Sequence, residues 1–308
     1  MRILALTGGV GGAKLALGLA SIRSADEVAF LVNTGDDFEH YGLHVSPDVD
    51  TLLYTLAGLN NQELGWGREG ESWNCLKTLD TLGGESWFQL GDRDLALHLV
   101  RTKLLKESMT LTEVIGHVAT QLGIEHKIFP MSNEPISTRV NTVHGELEFQ
   151  RYFVEQKCEP VVTGFRFDGI EKAQMVPDLT ILSFDCVIIC PSNPFVSVDP
   201  ILAVPGMRDY LHSLHCPVVA VSPIIDGKAI KGPAAKMLSE LNLPVTSYQI
   251  AKHYRGLVNG IIIDRLDSTN QADIKNLGLR VAVEQTIMRT LEDRKVLAQS
   301  AIDFAMSL

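Results

Sequence analysis

The chain has 308 residues, of which 45% are hydrophobic and 21% are charged, as in a folded globular protein and unlike a disordered or collagen-like one. Its 27 Lys and Arg against 37 Asp and Glu leave a net charge of −10, which disfavours nucleic acid and anionic membrane surfaces as partners. No apolar run reaches the ~18 residues of a membrane helix, and the first residues predict a strand instead of a signal peptide. We therefore expect a cytoplasmic protein with neither nucleic-acid nor membrane partners.

The N-terminal segment predicts a β-α-β unit. A short apolar strand at residues 3–6 leads into a glycine loop at residues 8–12, and a helix follows at residues 13–20. A second apolar run, residues 28–32, then ends in the polar sequence Asn-Thr-Gly-Asp-Asp. This order of elements is typical of nucleotide-binding α/β proteins.

Buried strands of the same kind recur in the second half of the chain, at residues 187–189 and 218–221, and both end in polar loops. Such strands are typical of a parallel sheet. Between the two halves helical periodicity dominates. The sequence therefore predicts an α/β fold whose Rossmann-like core, residues 1–50 and 180–308, has three α/β/α layers and a mainly parallel sheet. Residues 51–179 are predicted to form an inserted, mostly helical subdomain with a small β-hairpin region.

Two segments outside this pattern carry their own predictions. Residues 136–142 and 146–154 flank a Val-His-Gly turn and predict the hairpin. Residues 284–308 have helical periodicity. The sequence leaves open whether this C-terminal helix packs on its own domain or on a partner subunit.

The glycine-rich segment at residues 8–14 follows a strand and opens a helix, where backbone N–H groups can approach a phosphate at the positive helix end. It is not a Walker A loop, because Lys14 is followed by Leu15. It also lacks the G-x-G-x-x-G spacing, which argues against an NAD-dependent oxidoreductase. A purely structural tight turn is the alternative to phosphate contact, and four glycines with a lysine favour the phosphate.

Four aspartates follow the second strand within fifteen residues: Asp36, Asp37, Asp48 and Asp50. Carboxylates just beyond a strand end indicate a site for a hard metal ion. Ser46 and the proline after it are typical of a helix start, with Ser46 as the N-cap. Asp48 therefore has a second interpretation, as a charge that complements the helix dipole.

A third polar group follows the sequence Gly-Asp-Arg-Asp. On the predicted helix, Asp94, His98 and Arg101 are spaced to share one face. Arg93 or Arg101 is a candidate for holding phosphate, and a surface ion-pair network is the alternative interpretation of this group.

Polar loops after two later strands complete the set of candidate residues. Ser192 and Asn193 lie between two prolines after one strand, and Lys228 and Lys231 follow the next strand. The carboxyl ends of parallel strands meet at one edge of a sheet. We therefore expect both loops to face the same crevice as the glycine segment.

The motifs occur in a fixed order: Thr-Gly-Gly-Val-Gly-Gly-Ala-Lys at 7–14, Asn-Thr-Gly-Asp-Asp at 33–37, Ser-Pro-Asp-Val-Asp-Thr at 46–51, Leu-Gly-Asp-Arg-Asp-Leu-Ala at 90–96, Pro-Ser-Asn-Pro at 191–194, and Val-Ser-Pro-Ile-Ile at 221–225 with Lys-Gly-Pro-Ala at 231–234. Together they closely resemble the CofD/FbiA family, the 2-phospho-L-lactate transferases of deazaflavin coenzyme F(420) biosynthesis. The resemblance covers about residues 1–265.

The resemblance implies the transfer of a phospho-organic acid from a guanylyl diphosphate donor to the ribityl hydroxyl of the deazaflavin Fo, with release of GMP and with Mg²⁺ as cofactor. It also implies a Rossmann-like sheet with an inserted subdomain, usually in a homodimer. The sequence leaves open whether the acid is lactate, enolpyruvate or glycerate. The alternative function is that of a non-enzymatic nucleotide-sugar-binding regulator of the related gluconeogenesis-factor type.

The resemblance also implies roles for individual residues. Asp50 is the expected catalytic residue, and the expected metal ligands are Asp50, Asp36 and Asp37. The expected Fo-binding residues are Asp50, Gln89, Asp92 and Arg93. The expected nucleotide-binding residues are Gly8, Gly9, Val10, Gly11, Gly12, Lys14, Met131, Ser132, Asn133, Ser192 and Asn193. The segment 131–133 is expected near the base, and the family commonly has Asp where this chain has Asn133.

Overall fold

The computed structural model of the chain describes residues 1–62 and 66–308. In these residues the strands are β1 (Ile3–Thr7), β2 (Val28–Val32), β3 (Phe38–His40), β4 (Leu43–Val45), β5 (Lys127–Pro130), β6 (Ser137–Thr142), β7 (Gly145–Glu148), β8 (Val162–Asp168), β9 (Cys186–Ile189), β10 (Val218–Val221), β11 (Ile224–Ile225), β12 (Lys228–Ala229), β13 (Gly260–Asp264) and β14 (Arg280–Glu284). The α-helices are α1 (Gly9–Ile22), α2 (Pro47–Leu56), α3 (Asn74–Thr81), α4 (Asp92–Lys106), α5 (Leu111–Gln121), α6 (Pro177–Thr180), α7 (Asp199–Ala203), α8 (Met207–Ser213), α9 (Ala234–Glu240), α10 (Ser247–His253), α11 (Gln271–Asn276) and α12 (Leu291–Met306). Among the described helices, none combines the length and the apolar composition that a membrane crossing requires.

A seven-stranded sheet forms the centre of the fold in the order β14-β13-β10-β9-β1-β2-β5, and all neighbouring strands in it are parallel. Alternate residues of β1 point to opposite faces, so that Ile3 and Ala5 join one apolar cluster and Leu4 and Leu6 join the other. Helices α1, α2, α5 and α12 contribute to the first cluster, and α7 to α11 contribute to the second. The predicted three-layer α/β fold with a mainly parallel sheet is confirmed.

The strand order creates a crevice at one edge of this sheet. From β1 the chain continues to β2 on one side, whereas from β9 it continues to β10 on the other side. The strand order therefore reverses between β1 and β9. In open parallel sheets, ligands bind outside the carboxyl ends of the strands at such a reversal.

The range 51–179, which the sequence assigns to an insertion, also contributes to the central sheet. It contains β5, which pairs with β2 and forms one edge of the sheet. It also contains a separate antiparallel sheet in the order β7-β6-β8. Residues 63–65 of this range lie outside the described residues. The division of the chain into two domains stays a prediction.

Two predictions of local structure are wrong in part. The hairpin of β6 and β7 is present, but β7 ends at Glu148, because residues 151–155 form a π-helical turn that buries Tyr152 completely. β8 adds a third strand to this hairpin. The segment predicted as a glycine loop is the first part of α1, which begins at Gly9. Gly9 takes a φ of +65°, a conformation that favours glycine.

The C-terminal helix α12 packs on its own domain. Leu297, Ala298 and Ala301 belong to the same buried cluster as the apolar residues of α1. The two helices approach closely at Gly18, where an added Cβ atom would lie 2.2 Å from the carbonyl oxygen of Arg294. The absence of a side chain at this position therefore sets the distance between the two helices.

Replacing Gly18 by Ala is expected to lower the free energy of unfolding by about 1–3 kcal/mol, because the new methyl group overpacks the contact between α1 and α12. Gly116→Ala on α5 is the matched control, since a Cβ atom there meets no atom within 4 Å. Helix propensity alone makes Gly116→Ala stabilising by up to about 1 kcal/mol. Urea unfolding of both variants measures these changes in the free energy of unfolding. If the two substitutions stabilised the protein equally, α1 and α12 would not be in close contact at Gly18.

Candidate active site

A cavity of about 1090 Å³ lies at the carboxyl ends of the parallel strands. Its walls come from the segments that follow β1, β2, β9, β10 and β14, and from the β7 side of the small sheet. The predicted site residues that line it are Gly8, Gly9, Val10, Gly11, Lys14, Asp36, Asp50, Gln89, Ser192 and Asn193. The fold therefore brings most of the predicted residues into one cavity at the reversal of the strand order.

The N-terminus of α1 is already bonded to other parts of the chain. The N–H of Gly8 donates to Ser192 Oγ at 3.2 Å, and the N–H of Gly9 donates to Asp48 Oδ1 at 2.6 Å. The glycines also permit close packing, since a Cβ atom on Gly11 would lie 2.4 Å from the carbonyl oxygen of Pro191. The glycine segment therefore packs tightly and also lines the cavity, and its contact with phosphate stays a prediction.

Asn33 holds two buried carboxylates together at the end of β2. Its Nδ2 donates to Asp48 Oδ2 at 2.9 Å and to Asp36 Oδ1 at 3.2 Å. Burial raises the pKa of Asp48 to about 6, and the hydrogen bonds from Asn33 and Gly9 only partly offset this effect. Burial, with the negative charges of Asp48 and Asp37, raises the pKa of Asp36 well above its usual range. This part of the cavity therefore groups carboxyl side chains whose charged forms are disfavoured by burial.

Asp37 lies beside this group but does not line the cavity. His44 Nε2 lies 2.9 Å from Asp37 Oδ2, and Ser46 Oγ donates to the same oxygen at 2.7 Å. Burial raises the pKa of Asp37, and these two contacts oppose that effect. Ser46 stands at the N-cap of α2 as predicted, but its side chain makes no capping hydrogen bond. Its hydroxyl orients Asp37 instead.

Asp50 forms a buried ion pair with Arg101. The two terminal nitrogens of the guanidinium group donate to the two carboxylate oxygens, and the NH1 to Oδ2 distance is 3.0 Å. Asp50 and Arg101 are 5% and 1% exposed. Arg101 therefore cannot reach phosphate without leaving Asp50. The pKa of Arg101 is raised, because its attraction to Asp50 outweighs the effect of burial.

His98 connects this ion pair to Asp94 on the same face of α4, as the spacing predicts. Its Nδ1 lies 3.7 Å from Asp50 Oδ2, and its Nε2 lies 3.5 Å from Asp94 Oδ1. Tyr54 donates to the same Asp94 oxygen at 2.6 Å. Burial opposes ionisation of Asp94, but its contacts with His98 and Tyr54 lower its pKa overall.

One donor set in the described part of the chain has the geometry of a metal site. Asp50, Asp94 and His98 each offer one ligand atom, and these atoms lie within 4.8 Å of one another. Mg²⁺ is usually held by one or two carboxylates together with water and substrate phosphates, so Asp50 and Asp94 fit it. His98 Nε2 is buried and has no hydrogen bond within the described residues. Asp36 and Asp37 are not in this set, and their role as ligands stays a prediction.

The wall of the cavity next to β14 is cationic. It includes Lys14 on α1, Lys231 after β12, and Arg289 between β14 and α12. Lys14 Nζ donates to the carbonyl oxygen of Met288 at 3.3 Å. Burial and the nearby charges of Arg294 and Lys231 lower the pKa of Lys14. This wall therefore has the charge that suits an anionic ligand.

A second wall of the cavity is aromatic. It is formed by Trp66, Trp87, Phe88, Phe149 and Phe153. Phe149 and Phe153 stack at 5.4 Å with an interplanar angle of 7°, and the guanidinium of Arg151 lies 4.3 Å above the Trp87 ring. Gln89 also lines the cavity. Flat aromatic surfaces of this kind bind planar ring systems.

Several predicted site residues lie outside the lining of the cavity: Gly12, Asp37, Asp92, Arg93, Met131, Ser132 and Asn133. The Asp92 carboxylate accepts hydrogen bonds from Ser72 and from the start of α3. Asn133 Oδ1 accepts from the backbone and the side chain of Thr112. These groups are engaged within the protein, and their predicted roles in binding stay predictions.

The aromatic wall and Arg289 are parts of the cavity that the sequence did not predict. The aromatic residues belong to no binding motif and lie in segments that are far apart in the chain, and Arg289 lies in a loop beyond the last motif. A signal for the wall was the pair Trp87 and Phe88 in a polar stretch just before the Gly-Asp-Arg-Asp sequence. For Arg289 the sequence alone offers no comparable signal.

Comparison with known proteins assigns this chain to one family. The family model described as 2-phospho-L-lactate transferase CofD matches residues 3–297. A protein named phosphoenolpyruvate transferase from Streptomyces griseus is 34% identical over 99% of this chain and 98% of its own length. A protein named 2-phospho-L-lactate transferase from Methanothermobacter thermautotrophicus is 36% identical over 96% of both chains. A solved structure of a UPF0052 family protein from Bacillus halodurans has a TM-score of 0.65 at 15% identity over 98% of both chains, which shows a shared fold. Because the family model matches nearly the whole chain and full-length relatives exceed 30% identity, this chain belongs to the CofD family.

Proposed function

We propose that the chain transfers a phospho-organic acid from a guanylyl diphosphate donor to the ribityl hydroxyl of Fo and releases GMP, as a step of coenzyme F(420) biosynthesis. One observation carries the proposal. A single cavity joins a cationic wall, a group of buried carboxylates and an aromatic wall. Relatives named 2-phospho-L-lactate transferase and phosphoenolpyruvate transferase match this chain over nearly its full length.

The two walls fit the two substrates. The planar deazaflavin ring of Fo suits the aromatic wall, where Trp87 and Phe153 offer ring surfaces. The guanylyl diphosphate donor is anionic, so it suits the glycine segment, Lys14 and the loop of Ser192. The carboxylates that follow β2 line the same cavity. The reacting hydroxyl and phosphorus then meet beside Asp50.

The chemistry requires an aligned nucleophile. The hydroxyl oxygen of Fo forms a bond to the phosphorus that carries the acid, the bond from that phosphorus to the oxygen of GMP breaks, and the hydroxyl proton leaves. A primary hydroxyl is a weak nucleophile, so alignment supplies much of the rate. The Arg101 guanidinium fixes the Asp50 carboxylate in one orientation, and Asp50 thereby orients the hydroxyl. The buried carboxylates around it are available to accept the proton.

Magnesium dependence is part of the proposal. Asp50 and Asp94 would hold Mg²⁺, with His98 beside them. When bound, the ion neutralises the negative charge that develops on the diphosphate. We also expect the protein to form a homodimer and to be located in the cytoplasm.

The regulator of the gluconeogenesis-factor type is the weaker alternative. The likeness to the UPF0052 protein, at 15% identity, shows the fold alone. A regulator that binds a nucleotide sugar has no need of a carboxylate fixed by a buried Arg101 beside an aromatic wall. The relatives described above carry transferase names.

The proposed function is tested by incubating the purified protein with Fo, Mg²⁺ and each of the lactyl, enolpyruvyl and glyceryl forms of the guanylyl donor. We expect Fo to be consumed and GMP to be released in equal amounts with at least one donor. Chromatography and mass spectrometry measure both compounds. The preferred donor identifies the acid, which the relatives leave open because both names occur among them. Absence of product with all three donors, together with binding of a nucleotide sugar, would favour the regulator.

Asp50→Asn is expected to lower transfer by at least about 100-fold while GDP binding stays within threefold of the wild type, because the charge beside the reacting group is lost. Removing the carboxylate leaves the buried Arg101 uncompensated, so the variant is first checked for a cooperative unfolding transition. Asp178→Asn, an exposed position at the start of α6, is the control for the loss of one negative charge. Unchanged turnover in a folded Asp50→Asn protein would remove Asp50 from the mechanism.

A further inference from the structure

A carboxylate from the segment before α4 holds the start of that helix. Glu71 Oε2 accepts from the N–H of Arg93 at 2.8 Å, and Glu71 Oε1 accepts from the N–H of Asp94 at 2.9 Å. These are two of the N–H groups that an α-helix leaves without a partner in its first turn. A third, the N–H of Asp92, donates to the carbonyl oxygen of Ser72 at 2.8 Å. Glu71 and its neighbour therefore replace the side-chain cap that the N-cap position of α4 lacks.

Asp92 makes the reciprocal contact with α3. Its carboxylate accepts from the N–H groups of Asn74 and Cys75 at 3.1 and 3.0 Å, and from Ser72 Oγ at 2.6 Å. The hydrogen bonds from Ser72 and from the N–H of Cys75 lower the pKa of Asp92 to about 2. Glu71 and Asp92 thus form a capping pair, in which each residue lies beside the start of one helix and caps the other.

The first turn of α4 positions a residue of the candidate metal site. His98 Nδ1 lies 3.7 Å from Asp50 Oδ2, and its Nε2 lies 3.5 Å from Asp94 Oδ1. The N–H of Asp94 is one of the two that Glu71 holds. The place of the Asp94 carboxylate therefore depends on a helical turn that the Glu71 carboxylate fixes.

The capping pair also connects this helix to the aromatic wall. The segment that leads to α4 contributes Trp66, Trp87 and Gln89 to the main cavity. None of the residues of α3, which belongs to this segment, is buried, so a packed core contributes little to its stability. A smaller cavity of about 240 Å³, lined by Glu71 and Asp94, shares Trp66 and Gln89 with the main cavity. The hydrogen bonds of the capping pair therefore link the aromatic wall to the helix that carries Asp94.

We infer that Glu71 is a positioning residue for Asp94. It holds the first turn of α4 so that the Asp94 carboxylate stays beside Asp50 and His98. The inference rests on the proposed function, in which Asp50 and Asp94 would hold a divalent ion. Loss of Glu71 then weakens the binding of that ion. Asp92 still caps α3 in such a variant, so the aromatic wall stays in place and kcat falls more than the KM for Fo changes.

The test measures the affinity for Mn²⁺, which prefers the same oxygen ligands as Mg²⁺, by electron paramagnetic resonance with and without GDP. Replacing a residue that orients a metal ligand costs about 10- to 100-fold in metal affinity, and we expect such a loss in Glu71→Ala. Glu71→Gln keeps one of the two acceptor oxygens, so its loss should be smaller. Glu113→Ala is the matched control, because Glu113 caps α5 together with Thr110 and neither residue lines the cavity.

Gly91→Ala tests the same contact without removing a charge. A Cβ atom at Gly91 would lie 2.3 Å from Cδ and Oε2 of Glu71, so the new methyl group displaces the Glu71 carboxylate from α4. The backbone of Gly91 is extended, with a φ of −72°, which alanine adopts without strain. We therefore expect Gly91→Ala to weaken Mn²⁺ binding as Glu71→Ala does. Urea unfolding first shows that each variant is folded.

The outcomes separate this inference from the proposed function. Weaker Mn²⁺ binding in Glu71→Ala and Gly91→Ala, with a fall in kcat that exceeds the change in the KM for Fo, supports the inference. Mn²⁺ affinity within twofold of the wild type in Glu71→Ala overturns it, and transfer of the acid by the wild type then leaves the function intact. An equal loss in Glu113→Ala also overturns it, because weaker helix capping in general would then be the cause. A wild-type protein that binds no Mn²⁺, with or without GDP, overturns the inference and the magnesium dependence together.

Discussion

The close approach of the N-terminus of α1 to its surroundings is the constraint on which the site depends. A Cβ atom on Gly8 would lie 2.6 Å from Asp48 Oδ2, and one on Gly12 would lie 2.4 Å from Thr7 Oγ1. Side chains at these positions would push the helix away from the loop after β9 and from α2. Because the glycines remove this obstacle, Ser192 and Asp48 reach the backbone of the helix. The same packing that completes the fold therefore brings three strand ends into one cavity.

The burial of the carboxylates is the second feature that organises the site. The carboxylates after β2 are buried, and the pKa values of Asp36 and Asp48 are raised because burial disfavours their charged forms. Asp50 makes a different contact, because the buried Arg101 forms an ion pair with it. A buried ion pair of this kind is a weak source of stability, since desolvation offsets the attraction. Its value here is geometric, as it fixes one carboxylate of the group in a defined orientation.

The sequence predicts the parts of the fold whose signal is local. The strand at 28–32, the helix α4 and the shared face of Asp94 and Arg101 follow from periodicity and spacing. The start of α1 at Gly9 was missed, because glycine has a low helix propensity and the hydrogen bond that holds its N–H comes from Asp48, 39 positions away. The third strand β8 was missed for a similar reason, since its partner β6 lies about 25 residues away in the chain. The aromatic wall and Arg289 depend on tertiary contacts that no short pattern records.

The charges of the cavity also link the binding of donor and metal ion under the proposed function. An anionic donor that reaches the carboxylates meets Asp36 and Asp48, whose raised pKa values show that negative charge is already unfavourable there. A divalent ion held by Asp50 and Asp94 would supply compensating positive charge there, and the phosphates would offer it further oxygen ligands. Each ligand then increases the affinity for the other by the same factor, because binding free energies are reciprocal. Under the proposed function the acceptor lies on the aromatic wall, where Arg151 stacks on Trp87, so its binding depends on ring contacts more than on the ion.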